Sequence, residues 1–275
     1  MIELVGEIGI NANGDMLIAK KLIDVCAAAG VNYVKFQKRS IELVYSEKEL
    51  GSPRQSPWGT TTREQKAGLE FSYQDYQLID AYCKGKGIGW FASPWDIKSA
   101  SLISLAGTQF IKIASPMLTD LDFIQFCADQ YRDKSFILST GMSTAGDIAN
   151  AVDIIGSKRI HAILHCTSTY PTSENEINLN YIRTLKEKYS WLRIGFSNHY
   201  PGIPFLVGAA ALGAEMLEFH ITLDRNSYGS DQASSLEPHA IFKLVKYVRG
   251  IEKGLGDGWK RVYDSELPII AKLRS

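Results

Sequence analysis

Eight short, apolar, β-prone runs recur along the chain, each followed by a stretch with helical spacing. This alternation restricts the fold more than any other feature. The runs are 2–6 (IELVG), 33–36 (YVKF), 88–92 (IGWFA), 109–113 (QFIKI), 135–138 (SFIL), 160–164 (IHAIL), 192–196 (LRIGF) and 216–219 (MLEF). Between them lie stretches such as "MLIAKKLIDVCAAAG", closed by Gly30 as a helix C-cap, and "YQDYQLIDAYCKGKG", with apolar positions three and four apart. Near-continuous apolar strands are buried on both faces, as in a parallel sheet. Eight strand–helix units in 275 residues predict an α/β fold of the closed (β/α)8 TIM-barrel type. A doubly wound open sheet is the alternative. It usually has fewer units and often a glycine-rich first turn, and "GEIGINANG" lacks the GxGxxG spacing.

The one long irregular segment, about 38–70, follows the second run. Connections of this length within a compact domain are usually functional or disordered, so a lid or substrate-contacting excursion is expected there. No repeat, low-complexity tract or linker divides the chain, and residues 1–275 read as one domain. Lys plus Arg equals Asp plus Glu, 30 each, which argues against broad electrostatic binding to nucleic acid or an anionic membrane. No apolar run approaches the roughly 20 residues of a membrane helix. The N-terminus has no signal-peptide pattern, and the four cysteines are scattered without CxxC spacing. These features predict a cytoplasmic protein with reduced thiols.

Polar residues follow every strand. They are Glu7 and Asn11; Lys35 and Gln37; Ser93 and Asp96; Lys112 and Ser115; Ser139 and Thr140; His165, Thr167, Ser168 and Tyr170; Ser197 and His199; and His220. In a (β/α)8 barrel these positions share one face, the C-terminal mouth, where active sites form. Some must be helix caps, but capping does not explain lysines inside apolar strands. A buried lysine is costly unless it meets an anion. Lys35 and Lys112 therefore predict a bound carboxylate or phosphate, with the hydroxyls of Ser93, Ser115, Ser139, Thr140 and Ser197 completing its hydrogen bonds. His199 and His220 come from neighbouring strands. Any single histidine is more often a cap or core residue, but two in matching positions can share a divalent cation such as Mn²⁺ or Zn²⁺. Glu7 is then a further ligand or acts on a water.

The segments "EIGINANGD", "VKFQ", "IKIAS", "STGMST", "LHCTSTYP", "GFSNH", "EFHITLD" and "SDQASSLEP" resemble, in order and over essentially the whole chain, the signatures of the sialic acid synthase family. The resemblance implies a TIM-barrel transferase that condenses phosphoenolpyruvate with an open-chain amino-sugar aldehyde, giving a nonulosonic acid and phosphate. Lys35, Ser93, Lys112, Ser115, Ser139 and Ser197 match phosphoenolpyruvate-binding positions. His199 and His220 match ligands of Mn²⁺ or Mg²⁺. Glu7 matches a position near the reacting centre, Asp231 one near the sugar, and Gln37, Ser168 and Tyr170 sugar-side positions.

This chain departs from the family pattern at several points. Ala12 follows Asn11 where a histidine is usual, and Asn198 replaces the Asp before His199. Met117 stands where an acid commonly faces the sugar. The family's C-terminal antifreeze-like domain is not expected here, since the sequence stops at "KLRS"; an amino-terminal hairpin is likewise not expected. Members commonly dimerise by exchanging that domain, so a homodimer is an expectation from the family alone. Met117, Ser168 and the loss of an arginine that the C-terminal domain contributes in the family together predict that N-acetylmannosamine is a poor acceptor. Two alternatives stand beside this reading. One is an aldolase or keto-acid synthase acting on another aldehyde, with a buried lysine as Schiff base in the aldolase case. The other is an inactive homologue that binds a phosphorylated ligand.

Overall fold

The structure, a computed structural model, describes residues 1–274. Ten strands form: β1 (Glu3–Glu7), β2 (Tyr33–Lys38), β3 (Pro53–Ser56), β4 (Gly59–Thr61), β5 (Gly89–Pro94), β6 (Phe110–Ile113), β7 (Ser135–Ser139), β8 (Ile160–His165), β9 (Ile194–Asn198) and β10 (Met216–His220). Eight of them close a barrel in the order β1-β10-β9-β8-β7-β6-β5-β2, every pair parallel. The principal helices around it are α1 (Met16–Ala29), α5 (Tyr73–Lys86), α6 (Ile97–Leu105), α7 (Leu121–Gln130), α8 (Ala145–Ile155), α9 (Asn180–Lys188), α10 (Pro204–Ala211) and α11 (Pro238–Gly254). The (β/α)8 expectation holds, and each of the eight expected runs becomes a barrel strand.

The expectation for residues 38–70 is corrected. The segment is not irregular: it folds into α2 (Ile41–Val44), α3 (Glu47–Leu50), the antiparallel β3–β4 hairpin and α4 (Thr62–Gly68). The reason is local. Ser46 with Glu49 and Thr61 with Glu64 form capping boxes, each satisfying backbone N–H groups within a single turn. Such short elements have too few residues to show a period.

Packing divides the barrel into layers. Most of the apolar core lies between sheet and helices. A second cluster fills the barrel floor: Val5, Phe91, Phe110, Ile137, Ala162, Leu164 and Met216, with Tyr33 against it. Side chains on a strand alternate faces, so residues two apart point the same way. Two residues beyond Val5, Tyr33, Phe91, Phe110, Ile137 and Met216 stand Glu7, Lys35, Ser93, Lys112, Ser139 and Glu218. An apolar floor thus carries a polar layer directly above it, all buried.

Candidate active site

Above the floor a cavity of about 330 Å³ opens at the C-terminal ends of the strands. It takes in Lys35, Gln37, Ser93 and Lys112 on one part of its wall, and Ser115, Ser139, Ser168 and Tyr170 on another. Ser197, His199, His220 and Asp231 complete the expected residues that line it. Residues up to 196 positions apart in sequence (Lys35 to Asp231) are brought together because parallel strands all deliver their C-terminal ends to one face.

The two buried lysines already have carboxylate partners within the protein, which the sequence reading did not foresee. Lys35 Nζ lies 2.8 Å from Glu7 Oε2 and 3.7 Å from Glu218 Oε1. Lys112 Nζ lies 2.6 Å from Glu218 Oε1. Burial alone would lower the Lys35 pKa, but Glu218 and Glu7 outweigh it and hold the ammonium above its ordinary value. For Lys112 burial dominates and, with the neighbouring Lys35, leaves its pKa below the ordinary value despite Glu218. Burial would raise the Glu218 carboxyl, but Lys112 and Lys35 carry it well below the usual carboxylate range. Two cations and two anions thus balance within the barrel. Ser93 Oγ accepts from Lys35 (3.3 Å), and Ser197 Oγ donates to Glu218 (3.1 Å).

Glu7 is fully buried, in direct contact with two residues that line the cavity. Gln37 Nε2 donates to its Oε1 at 2.7 Å, so its two oxygens fix Gln37 and Lys35. Of the two carboxylates that pair with the lysines, Glu218 lines the cavity, and its Oε2 has no hydrogen-bond partner among the described residues. Sequence reasoning missed it, although it interrupts the apolar run MLEF just as the lysines interrupt theirs.

His199 and His220 meet with ring centroids 5.2 Å apart. His199 Nδ1 lies 2.6 Å from the Thr167 carbonyl, which places the proton on Nδ1 and the lone pair on Nε2. There Nε2 accepts from Tyr170 Oη at 3.0 Å. Burial, then His220, pushes the His199 pKa down to about 3, so the ring is neutral. His220 Nδ1 is buried without a hydrogen-bond partner among the described residues, 3.5 Å from Asp231 Oδ2. Among the described residues no cluster of three or more His, Cys, Asp or Glu is arranged to hold a metal. The His199 Nε2 lone pair, here accepting from Tyr170, and the unpartnered His220 Nδ1 are donors of the chemistry that would hold a divalent cation.

The other polar residues at strand ends are structural. Asn11 Nδ2 bonds the Ile221 carbonyl and Ser235. Asp96 caps α6 and accepts from the Ser40 N–H. Thr140 donates to the Leu164 carbonyl, His165 contacts the Ile177 carbonyl, and Thr167 donates to the Glu176 carbonyl. Ala12 is packed in the core, and Asn198 bridges to the carbonyls of Tyr200 and Gly202. Met117 packs against the core while its neighbours Ser115 and Pro116 line the cavity, so it is not the sugar-facing surface expected from sequence.

A closed parallel barrel with charged and hydroxylic side chains converging at its C-terminal mouth defines the TIM-barrel class, with the site where that class places its active centres. The NeuB family model matches residues 22–260, and the chain belongs to the NeuB family. It is an enzyme of the sialic acid synthase type. It is 35% identical to the N,N'-diacetyllegionaminic acid synthase of Campylobacter jejuni, over 98% of this chain and 82% of that protein. It is 33% identical to the N-acetylneuraminate-9-phosphate synthase of Homo sapiens, over 98% of this chain and 76% of that protein. The crystal structure of N-acetylneuraminic acid (sialic acid) synthetase from Leptospira borgpetersenii in complex with citrate matches with a TM-score of 0.85 at 32% identity, covering 98% of this chain and 90% of that one. No helix among the described residues is long and apolar enough to cross a membrane.

Proposed function

We propose that this chain condenses phosphoenolpyruvate with the open-chain aldehyde of an amino sugar, giving a nonulosonic acid and inorganic phosphate. The observation that carries this reading is the convergence of Lys35, Lys112 and four serine hydroxyls beside two histidines in one cavity of a NeuB-family barrel. Its relatives are named synthases of legionaminic, sialic and pseudaminic acids.

In this reading Lys35 and Lys112 hold the anionic groups of phosphoenolpyruvate, and Ser93, Ser115, Ser139 and Ser197 complete its hydrogen bonds. Because Glu7 and Glu218 already pair the lysines, both ammonium groups are positioned before substrate arrives, which lowers the cost of organising them. Gln37, Ser168, Tyr170 and Asp231 face the sugar. Carbon 3 of phosphoenolpyruvate forms the new C–C bond to the aldehyde carbon, whose oxygen takes a proton and becomes a hydroxyl. Water adds to carbon 2 and gives up one proton, which balances the proton taken by the aldehyde oxygen. The bond from carbon 2 to the phosphate oxygen then breaks. Phosphate leaves with the electron pair and the second water proton, and carbon 2 becomes the ketone. A Mn²⁺ or Mg²⁺ ion held by His199 and His220 would supply Lewis-acid polarisation of the aldehyde oxygen.

The test is phosphate release from phosphoenolpyruvate with Mn²⁺ and a panel of amino-sugar aldoses. Release that depends on an aldose supports the reading; none with any aldose refutes it. One observation favours a second reading. The lowered Lys112 pKa suits a Schiff-base aldolase, and borohydride trapping of substrate on Lys112 would establish that instead.

A further inference from the structure

Four lysine and arginine side chains line the cavity: Lys35, Arg39, Lys66 and Lys112. Three have a carboxylate within 4.0 Å. Lys35 has Glu7 and Glu218, Lys112 has Glu218, and Arg39 has Glu70 at 3.5 Å. Lys66 has none among the described residues. Its half-buried side chain lies over the Tyr45 ring, with Nζ 4.9 Å from the centroid.

The wall that carries Lys66 is fixed on several sides. Arg63, on the same helix α4, pairs with Glu42 of α2 and Glu47 of α3. The chain at Gly68 approaches the β1–α1 loop so closely that a Cβ on Gly14 would stand 2.1 Å from the Gly68 carbonyl oxygen. Trp58 packs on Gly68 and meets Tyr228, in the segment after β10, edge to face at 5.6 Å. The surroundings of Lys66 are positive. Burial, then Arg39 and Arg54, lowers its pKa, and Asp231 and Glu70 only partly offset them. An unpaired cation held on a rigid wall of a binding cavity is a preorganised anion site. Lys66 stands on the excursion, outside the polar layer of the barrel interior. The anion it meets is therefore a different group from those held by the Lys35–Lys112 pair, on the part of the substrate that faces the excursion.

We propose that Lys66 is a specificity-determining residue that binds an anionic substituent, phosphate or carboxylate, at the outer end of the acceptor sugar. This rests on the condensation reading for the identity of the acceptor; the anion subsite itself is tested by binding.

The experiment is calorimetric titration of the full chain with three probes: N-acetylmannosamine, N-acetylmannosamine 6-phosphate and N-acetylmannosaminuronic acid. At least one anionic probe is expected to bind about 10- to 100-fold more tightly than the neutral one, the range of a charged hydrogen bond. Lys66→Gln should abolish that preference, Lys66→Arg should retain most of it, and phosphoenolpyruvate affinity should be unchanged in both. Equal affinity for all three probes, or a preference that survives in Lys66→Gln, overturns the proposal. So does a loss of phosphoenolpyruvate affinity in Lys66→Gln, which would assign the cation to the other substrate. An equal loss for neutral and anionic probes would leave Lys66 only its packing role on Tyr45, and also overturns it. Phosphate release is scored separately. If no probe supports it while the Lys66-dependent preference persists, the condensation reading fails and the anion subsite stands.

Discussion

Lys112 and Glu218 are joined by a 2.6 Å contact across the barrel interior, although their strands, β6 and β10, are separated by three others in the sheet. Both side chains are buried. Breaking such a pair by removing one partner strands the other charge, which typically costs about 3–5 kcal/mol. Glu218→Gln should therefore unfold at markedly lower denaturant, and it should lose activity. The double variant Glu218→Gln/Lys112→Met should recover much of the stability and none of the activity. Equal stability of the single variant and wild type would contradict the pairing.

Lys112→Ala should weaken phosphoenolpyruvate binding by about 2–5 kcal/mol, the cost of losing one partner of a desolvated charge pair. Binding of the sugar should change far less. Titration with each substrate separately checks this, and unchanged phosphoenolpyruvate affinity would reject the role assigned to Lys112.

Chelation with EDTA should abolish turnover, and Mn²⁺ or Mg²⁺ should restore it. His220→Ala should lower bound metal, measured by emission spectroscopy on dialysed protein, by about 10-fold or more. Normal metal content together with a normal rate in that variant would remove His220 from the ligand set.

Gly141 is a close-approach position. A Cβ there would stand 2.1 Å from Ser168 Oγ and 2.8 Å from Ser115 Oγ, and both serines line the cavity. Overpacking of this kind costs roughly 1–3 kcal/mol. Gly141→Ala should displace both hydroxyls and lower kcat/KM about tenfold or more, with far-UV circular dichroism unchanged. Wild-type kinetics would show that the hydroxyls are not used.

At the opposite face of the barrel, burial would raise the Glu3 carboxyl, but His161 at 2.7 Å and Arg193 at 3.0 Å outweigh it and hold its pKa below the ordinary 4.5. The unfolded chain therefore binds this proton first as pH falls. The stabilisation is present above about pH 4.5 and is lost as pH drops through the lower folded value. The Tm difference between wild type and Glu3→Gln should thus be largest near neutral pH and shrink below pH 4.5. A difference independent of pH would exclude the ion pair as its source.

The eight strands and the two lysines of the cavity were legible in the sequence, because burial on both faces leaves apolar runs and any charge inside one stands out. By that same logic Glu218 was legible and was passed over: MLEF breaks its apolar run as YVKF and FIKI break theirs. What satisfies the lysines was decided only by closure of the barrel. Side chains from β1, β2, β6 and β10 meet inside it, 106 residues apart in the case of Lys112 and Glu218. No local pattern encodes which charge will face which. The excursion at 38–70 was equally closed to periodicity. Its helices are only four to seven residues long, held by capping boxes and by packing against loops distant in sequence. Lys66 became a cavity residue through that packing alone. A lysine in a short amphiphilic stretch looks like any solvated side chain until the tertiary fold turns it inward, here with no carboxylate partner among the described residues.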